Sequence, residues 1–397
     1  MNIEKSTPPP SSEAGLPGRV IRHLSSESRQ YIGSPSLAVL PDGSYVASHD
    51  VFGPGTEEMD SGKTLIYESS DCGETWEEIA VVRSAFWSNL FVHEGCLYLM
   101  GTTHHHGLVV IRRSDDGGHT WSIPATPETG LLTPYGQFHT APVPMLIHRG
   151  RIWRSIEDAT ASTSWGVRYN PMIMSAPLGA DLLRQDSWSF SQIFRQESDW
   201  LKGSFGGWLE GNVLALPDGR IANLLRVDID QGGVAALVTL GSDGKSLRFD
   251  PDRDFVDFPG GATKFTVRKD PVTGSYWGLV NAVPSHHAKD LPRHTFIRNT
   301  LSLLYSEDGR QWELRSTVLY HPEAKRHGFQ YVDWLFEGED ILAVSRTAWD
   351  DASGGAPNQH DANFLTFHRI RDFRSLNPEN DSEIFSTNGD SSKSICI

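Results

Sequence analysis

Sixteen histidines occur in this chain, and several stand where they could move protons. Three are consecutive, His104–His106; His49 lies between Ser48 and Asp50, and His139 follows Phe138. Imidazole gains and loses its proton near neutral pH, so His49, His105, His106 and His139 are candidates for general acid–base work, with Tyr331 as a phenolic partner. Arg154, Arg226 and Arg346 each come late in or just after an apolar run. A guanidinium fork fits a carboxylate through paired N–H donors. Trp87 and Tyr135 offer faces for sugar rings, and Asn281 offers an amide. Such a set suits an acidic carbohydrate: aromatics to stack on it, arginines to clamp its carboxylate, histidines to exchange protons. Three histidines in a row point in different directions and are poorly spaced to share a metal, so no transition-metal centre is expected. No cofactor is required, and a structural calcium ion on the fold's axis stays open.

Residues so far apart in sequence need a scaffold that brings them together, and a repeat supplies it. An apolar strand, a tight turn with Gly and a second apolar strand recur at 35–48, 88–101, 144–156, 212–225, 264–280 and 332–345. The turn glycines are Gly43, Gly95, Gly150, Gly219, Gly274 and Gly338, spaced by about 50–70 residues, the size of one four-stranded propeller blade. A second motif interleaves with the first. Ser69-Ser70-Asp71-Cys72-Gly73-Glu74-Thr75-Trp76 returns as Ser114-Asp115-Asp116-Gly117-Gly118-His119-Thr120-Trp121. A shortened copy stands at 306–312 and a worn one at 242–247. Ser and Asp can bond the backbone a few residues on, and Gly supplies a positive φ, so the motif is a hairpin turn. It resembles the Asp-box of sialidase-like β-propellers.

The expected fold is therefore all-β: one propeller of four-stranded blades. Six blades are counted from the repeats, and a seventh, divergent one is left room for. The strand at 18–22 is expected to complete the last blade and close the ring, which removes exposed sheet edges. The domain reading is a flexible segment at 1–16, the propeller at 17–385 and a tail at 386–397. Within a blade the A–B turns and Asp-boxes share one face. The B–C and D–A loops share the other, and every candidate residue above falls on that second face.

The segment 45–55, YVASHDVFGPG, together with 109–114 and 360–369, resembles a group of propellers that release terminal L-rhamnose linked α-1,4 to D-glucuronate. That group contains lyases and hydrolases and is related to propeller ulvan lyases. The resemblance implies a functional histidine at His49 and a second within His104–His106, with Arg154, Arg226 and Arg346 binding the carboxylate. It implies β-elimination at the uronate, releasing rhamnose from gum arabic or arabinogalactan caps, with hydrolysis of the same linkage as the runner-up. Lyase relatives use a tyrosine with the histidine; here Tyr135, Tyr169 or Tyr331 would serve. An exo-sialidase needs a tyrosine paired with a glutamate and an arginine in the first blade, where this chain has Ser48-His49-Asp50. A glycan-binding propeller without catalysis is the remaining alternative.

Composition removes other classes. The formal net charge is -15, which disfavours nucleic acid and anionic membrane surfaces as partners. Three cysteines, Cys72, Cys96 and Cys396, form neither a disulfide framework nor a zinc pattern. No apolar run is long enough to span a membrane. Residues 1–16 lack the apolar stretch of a signal peptide, so a cytoplasmic monomer acting on an acidic oligosaccharide or polysaccharide is expected, or a secreted one had a leader been removed.

Overall fold

A computed structural model describes residues 15–377. Six small antiparallel sheets form a ring, a six-bladed β-propeller. Among the described residues there is no α-helix, only short 3-10 turns. Strand A of each blade lines the axis and strands B, C and D follow outward. The B strands are Tyr45–Phe52, Cys96–Thr102, Arg151–Asp158, Ile221–Asp228, Tyr276–Val280 and Asp340–Ala348. The last blade orders as Gly328–Glu337, Asp340–Ala348, Phe364–Ile370 and then the N-terminal strand Arg19–His23. That strand pairs antiparallel with Phe364–Phe367, so the ends of the ring are sewn together within one sheet. The expected segments before residue 15 and after 377 lie outside the described residues.

Blade 2 departs from the four-stranded plan. Its sheet has three strands, Phe86–His93, Cys96–Thr102 and Val109–Ser114. The chain that should form its outer strand contains Pro124 and Pro127, which cannot donate to a ladder. Only an isolated bridge, Val110 to Leu131, remains there.

The two full Asp-boxes have the same wiring. Asp71 accepts from the Thr75 amide at 2.9 Å and from its hydroxyl at 2.6 Å, and the Gly73 amide donates to Ser69 Oγ at 2.9 Å. Asp116, Thr120, Gly118 and Ser114 repeat these contacts. Trp76 and Trp121 each donate their indole N–H back to the turn glycine's carbonyl. Gly73 is at φ 89°, and a Cβ there would lie 2.3 Å from the Phe367 ring of the last blade. The turn thus has no room for a side chain.

Apolar clusters fill the seams between blades rather than one central core. Leu37, Tyr45 and Tyr67 of blade 1 pack on Leu342, Val344 and Leu365 of blade 6. Polar side chains stitch the inner strands. Asp333 accepts from Ser36 Oγ and the Leu37 amide, the Leu90 amide donates to Ser36 Oγ, and Asn212 accepts from the Val267 amide.

Candidate functional site

Strand register fixes which residues meet at one mouth of the ring. Phe86 pairs with Thr102, His139 with Glu157, Leu209 with Arg226, and Gln330 with Arg346. The start of each A strand and the end of each B strand therefore share a face, opposite the A–B turns.

Three of these A strands carry an irregularity at the same place. The ladder slips between Phe86 and Asn89, between Leu209 and Asn212, and between Gln330 and Asp333. Within each slip sits a non-glycine residue in the left-handed region: Trp87 at φ 49°, Glu210 at φ 57° and Tyr331 at φ 55°. A β-bulge re-aims a side chain, and left-handed backbone costs a non-glycine residue about 1–2 kcal/mol. The bulges fall in blades 2, 4 and 6. In blades 1 and 3 the inner strand is split in two instead.

The first group around these bulges is built on histidine. The Trp87 ring centroid is 4.7 Å from His105, 5.3 Å from His106 and 4.4 Å from His139. His139 lies 4.2 Å from Tyr169 and bonds the Glu157 carboxylate through Nδ1 at 2.8 Å. Glu157 also accepts from the Gly211 amide. His106 Nε2 is 3.2 Å from the Tyr169 hydroxyl. Burial, then the neighbouring His105 and His139, push His106 down to about 2, so it stays neutral. Asp50 fastens Trp87 from beneath: its Oδ2 accepts the Trp87 amide at 2.6 Å, and its Oδ1 is 2.5 Å from Thr64 Oγ1. Burial pushes the Asp50 carboxyl up to about 8. The Thr64 hydroxyl also contacts the Ala85 carbonyl at 3.0 Å. One hydroxyl proton cannot serve both, and a protonated Asp50 resolves the conflict by donating to Thr64.

The second group is cationic. Glu210 accepts Arg226 at 2.9 Å, and both side chains are 2% exposed. Burial works to raise the Glu210 carboxyl, but Arg226, His139 and the Tyr331 hydroxyl turned toward it hold it below its usual range. Arg226 also donates to Ala262 O and Thr295 Oγ1, with Trp165 over its plane at 5.5 Å. Arg346 lies between two rings, 4.4 Å from Phe52 and 4.7 Å from Tyr331, and bonds His360. Arg298 is 5.8 Å from the Tyr331 ring and donates to Gln330. Burial, then Glu210, raise the Tyr331 phenol, while Arg226, Arg298 and Arg346 oppose them. Phe52, Trp87, His105, His106, Tyr331 and His360 are the half-exposed surface of this mouth.

The structure thus gathers Trp87, His105, His106 and His139, and beside them Tyr331, Arg226 and Arg346. It keeps four other candidates away. His49 is fully buried, with Nδ1 on the Asp50 carbonyl at 2.7 Å and Nε2 on the Tyr67 hydroxyl at 3.1 Å. Arg154 is also fully buried and binds Asn89 Oδ1, Met100 O and Ala141 O across the seam of blades 2 and 3. It is the fourth residue of its B strand, whereas Arg226 is the sixth and Arg346 the seventh of theirs. At about 3.3 Å per residue it sits roughly 7–10 Å deeper. Asn281 spends its amide on the carbonyls of Thr300 and Phe329. Tyr135 is 81% exposed and has no ring partner in the cluster. Conversely, Arg298 and the Glu210–Tyr331 relation did not emerge from the sequence. Arg298 comes from the loop before a C strand, not from a B-strand end. The bulges have one faint signature, an Asn or Asp two residues later at Asn89, Asn212 and Asp333.

Among the described residues no group of three or more His, Cys, Asp or Glu is arranged to hold a metal ion, and no helix is long and apolar enough to cross a membrane. No known protein family matches the chain, and no curated protein matches it in sequence. Solved structures do match in fold. A Hadza microbial sialidase aligns with a TM-score of 0.60 at 14% identity, covering 90% of this chain and 69% of that one. An α-L-arabinanase of Penicillium chrysogenum, complexed with arabinobiose, aligns at 0.54 and 16% identity, covering 92% and 100%. An α-L-arabinofuranosidase of Fusarium graminearum aligns at 0.57 and 12% identity, covering 91% and 99%. At these identities the likeness is one of fold.

Proposed function

We propose that the chain is a carbohydrate-active enzyme that cleaves the glycosidic bond of a terminal carboxylated sugar. One observation carries the reading: Tyr331 stands on a strained bulge between the Glu210 carboxylate and the guanidiniums of Arg226, Arg298 and Arg346. Arg298 and Arg346 would hold the substrate carboxylate. The Tyr331 oxygen would bond to the anomeric carbon while its proton passes to Glu210. A neutral phenol suits this role, because a carboxylate nucleophile would be repelled by the sugar's own charge. The departing oxygen would take a proton from His139, which Glu157 steadies at 2.8 Å. Water would then release the sugar, giving a proton to His139 and its hydroxyl to the anomeric carbon, while Glu210 returns the proton to Tyr331. Sialidases among the structural neighbours are consistent with this reading, whereas the arabinan-cleaving neighbours support only the cleavage of a glycosidic bond.

A second reading rests on a different contact. Neutral His106 meets the Tyr169 hydroxyl at 3.2 Å on the histidine side of the mouth. At a uronate this pair would remove the C5 proton and the C4–O bond would break with formation of a C4=C5 double bond. His139 would protonate the leaving oxygen, and rhamnose would be set free from rhamnosyl-α-1,4-glucuronate. Incubation with sialosides, glucuronides and gum arabic separates the readings. Hydrolysis adds one water to the product mass, and elimination adds none but creates an ultraviolet-absorbing enoate. Cleavage of neutral arabinans with no action on any acidic glycoside would overturn both.

A further inference from the structure

The missing outer strand of blade 2 leaves a groove on the flank of the ring, between that blade and strand D of blade 1, Glu77–Arg83. Its volume is about 1020 Å³. It begins at Thr103, the residue before His104–His106, and runs toward Trp121 of the second Asp-box. The basic residues lining it are Lys63, Arg83, Arg112 and, at the far end, His119. No Asp or Glu lines it. Arg112 is the unusual member. It is 5% exposed, donates to the carbonyls of Arg83 and Ser84 at 2.9 Å, and has no carboxylate partner. Burial pulls it down only to about 10, so it remains a cation under the groove floor. Lys63 and Arg83 make no ion pair among the described residues, in a chain with fifty carboxylates. His119 alone has an acidic neighbour, Glu68 at 3.6 Å. Half-buried Trp121 and Ile123, which is 78% exposed, supply an apolar wall.

We infer that this groove is a second carbohydrate site, which holds the body of an acidic polysaccharide while a chain end occupies the mouth of the ring. Three cations without counter-charges beside an aromatic wall match a polymer that repeats a carboxylate along a chain of sugar rings. The groove's upper end adjoins the histidine side of the mouth, so one extended chain can reach both. The inference extends the proposed function to a polymeric substrate, but its test needs no turnover.

The test is electrophoresis of the full chain through gels containing polyglucuronate, with neutral dextran as the reference. The Tyr331→Phe protein is run beside the unaltered one, so loss of catalysis leaves the readout intact. Retardation by polyglucuronate alone is expected, weakening as salt is raised. Lys63→Ala with Arg83→Ala should weaken it roughly three- to tenfold, two exposed pairs being worth a fraction of a kcal/mol each. Ile123→Glu, at an exposed site that folding does not need, should weaken it as well. Lys245→Ala with Arg248→Ala removes the same charge from the exposed outer part of blade 4 and should change nothing. Absence of retardation, persistence in the Lys63/Arg83 variant, or equal loss in the blade 4 variant would each overturn the inference.

Discussion

The Glu210 carboxylate and the Arg226 guanidinium face each other at 2.9 Å on neighbouring strands of one blade, both removed from water. A buried pair of this kind is costly to break, because the survivor keeps its charge without a partner. Here the carboxylate also faces the Tyr331 phenol, which comes from blade 6. Tyr331→Phe and Glu210→Gln should lower turnover by at least about 10³-fold while leaving substrate affinity within a few-fold, as expected for groups that act in the transition state. Steady-state kinetics and calorimetric titration read the two effects apart. Equal losses in affinity and turnover would remove Tyr331 from the chemistry.

Carboxylate recognition makes its own prediction. Replacing Arg298 or Arg346 by Met should cost about 1.5–3 kcal/mol of affinity for an acidic sugar, the worth of a hydrogen bond to a charged group. The methyl ester of the same sugar should bind both variants and the parent alike. Discrimination that survives in both variants would place the carboxylate elsewhere.

Two buried residues should matter for stability and not for turnover. His49→Phe removes the bond to Tyr67 from the seam of blades 1 and 6. Arg154→Leu strands Asn89 and two carbonyls, at about 1–3 kcal/mol for each group left unsatisfied. Both variants should melt at lower temperature yet keep the parent's turnover per folded molecule. A His49→Phe protein that melts normally and is inactive would restore His49 to catalysis.

Stability should peak near pH 6.5. Burial lowers His49 and His368 to about 4, so the unfolded chain binds protons that the fold refuses. Their contribution is full above the ordinary histidine value and is lost as pH falls through it toward 4. Asp50 works in the opposite sense. Its folded value of about 8 stands above the unfolded 3.8, so its contribution is complete below about 4 and is gone once pH has passed 8. Between 4 and 6.5 the histidines outnumber it, and from 6.5 to 8 it acts against them alone. Thermal melts across pH 4–8 should show the maximum, and Asp50→Asn, an isostere of the protonated acid, should flatten the alkaline limb. An unchanged limb would mean that Asp50 is ionised in the fold.

Architecture was the more legible part of this chain. Six turn glycines counted the blades, and an unpaired strand at 18–22 announced the closure. Position along a strand was harder to see. Arg154, Arg226 and Arg346 look alike as arginines near B-strand ends, yet a difference of two or three residues separates an interior strut from a wall of the mouth. The Trp87, Glu210 and Tyr331 bulges were not legible because none of these residue types favours a left-handed backbone. That conformation is imposed by the surrounding ladder. Arg298 lies in a loop, and only the folded ring shows that it faces Tyr331.

Closure through Arg19–His23 also sets an order of events at birth. These residues are made before the rest of the ring, and their partners at Phe364–Phe367 follow more than 340 residues later. Until then the first strand has no ladder to join and the open ring exposes a raw edge at each end. Non-local pairing of this kind is slow and open to association with other chains. The nascent protein would therefore be most vulnerable just before its last blade is completed, and a chaperone that shields strand edges would serve it best at that moment.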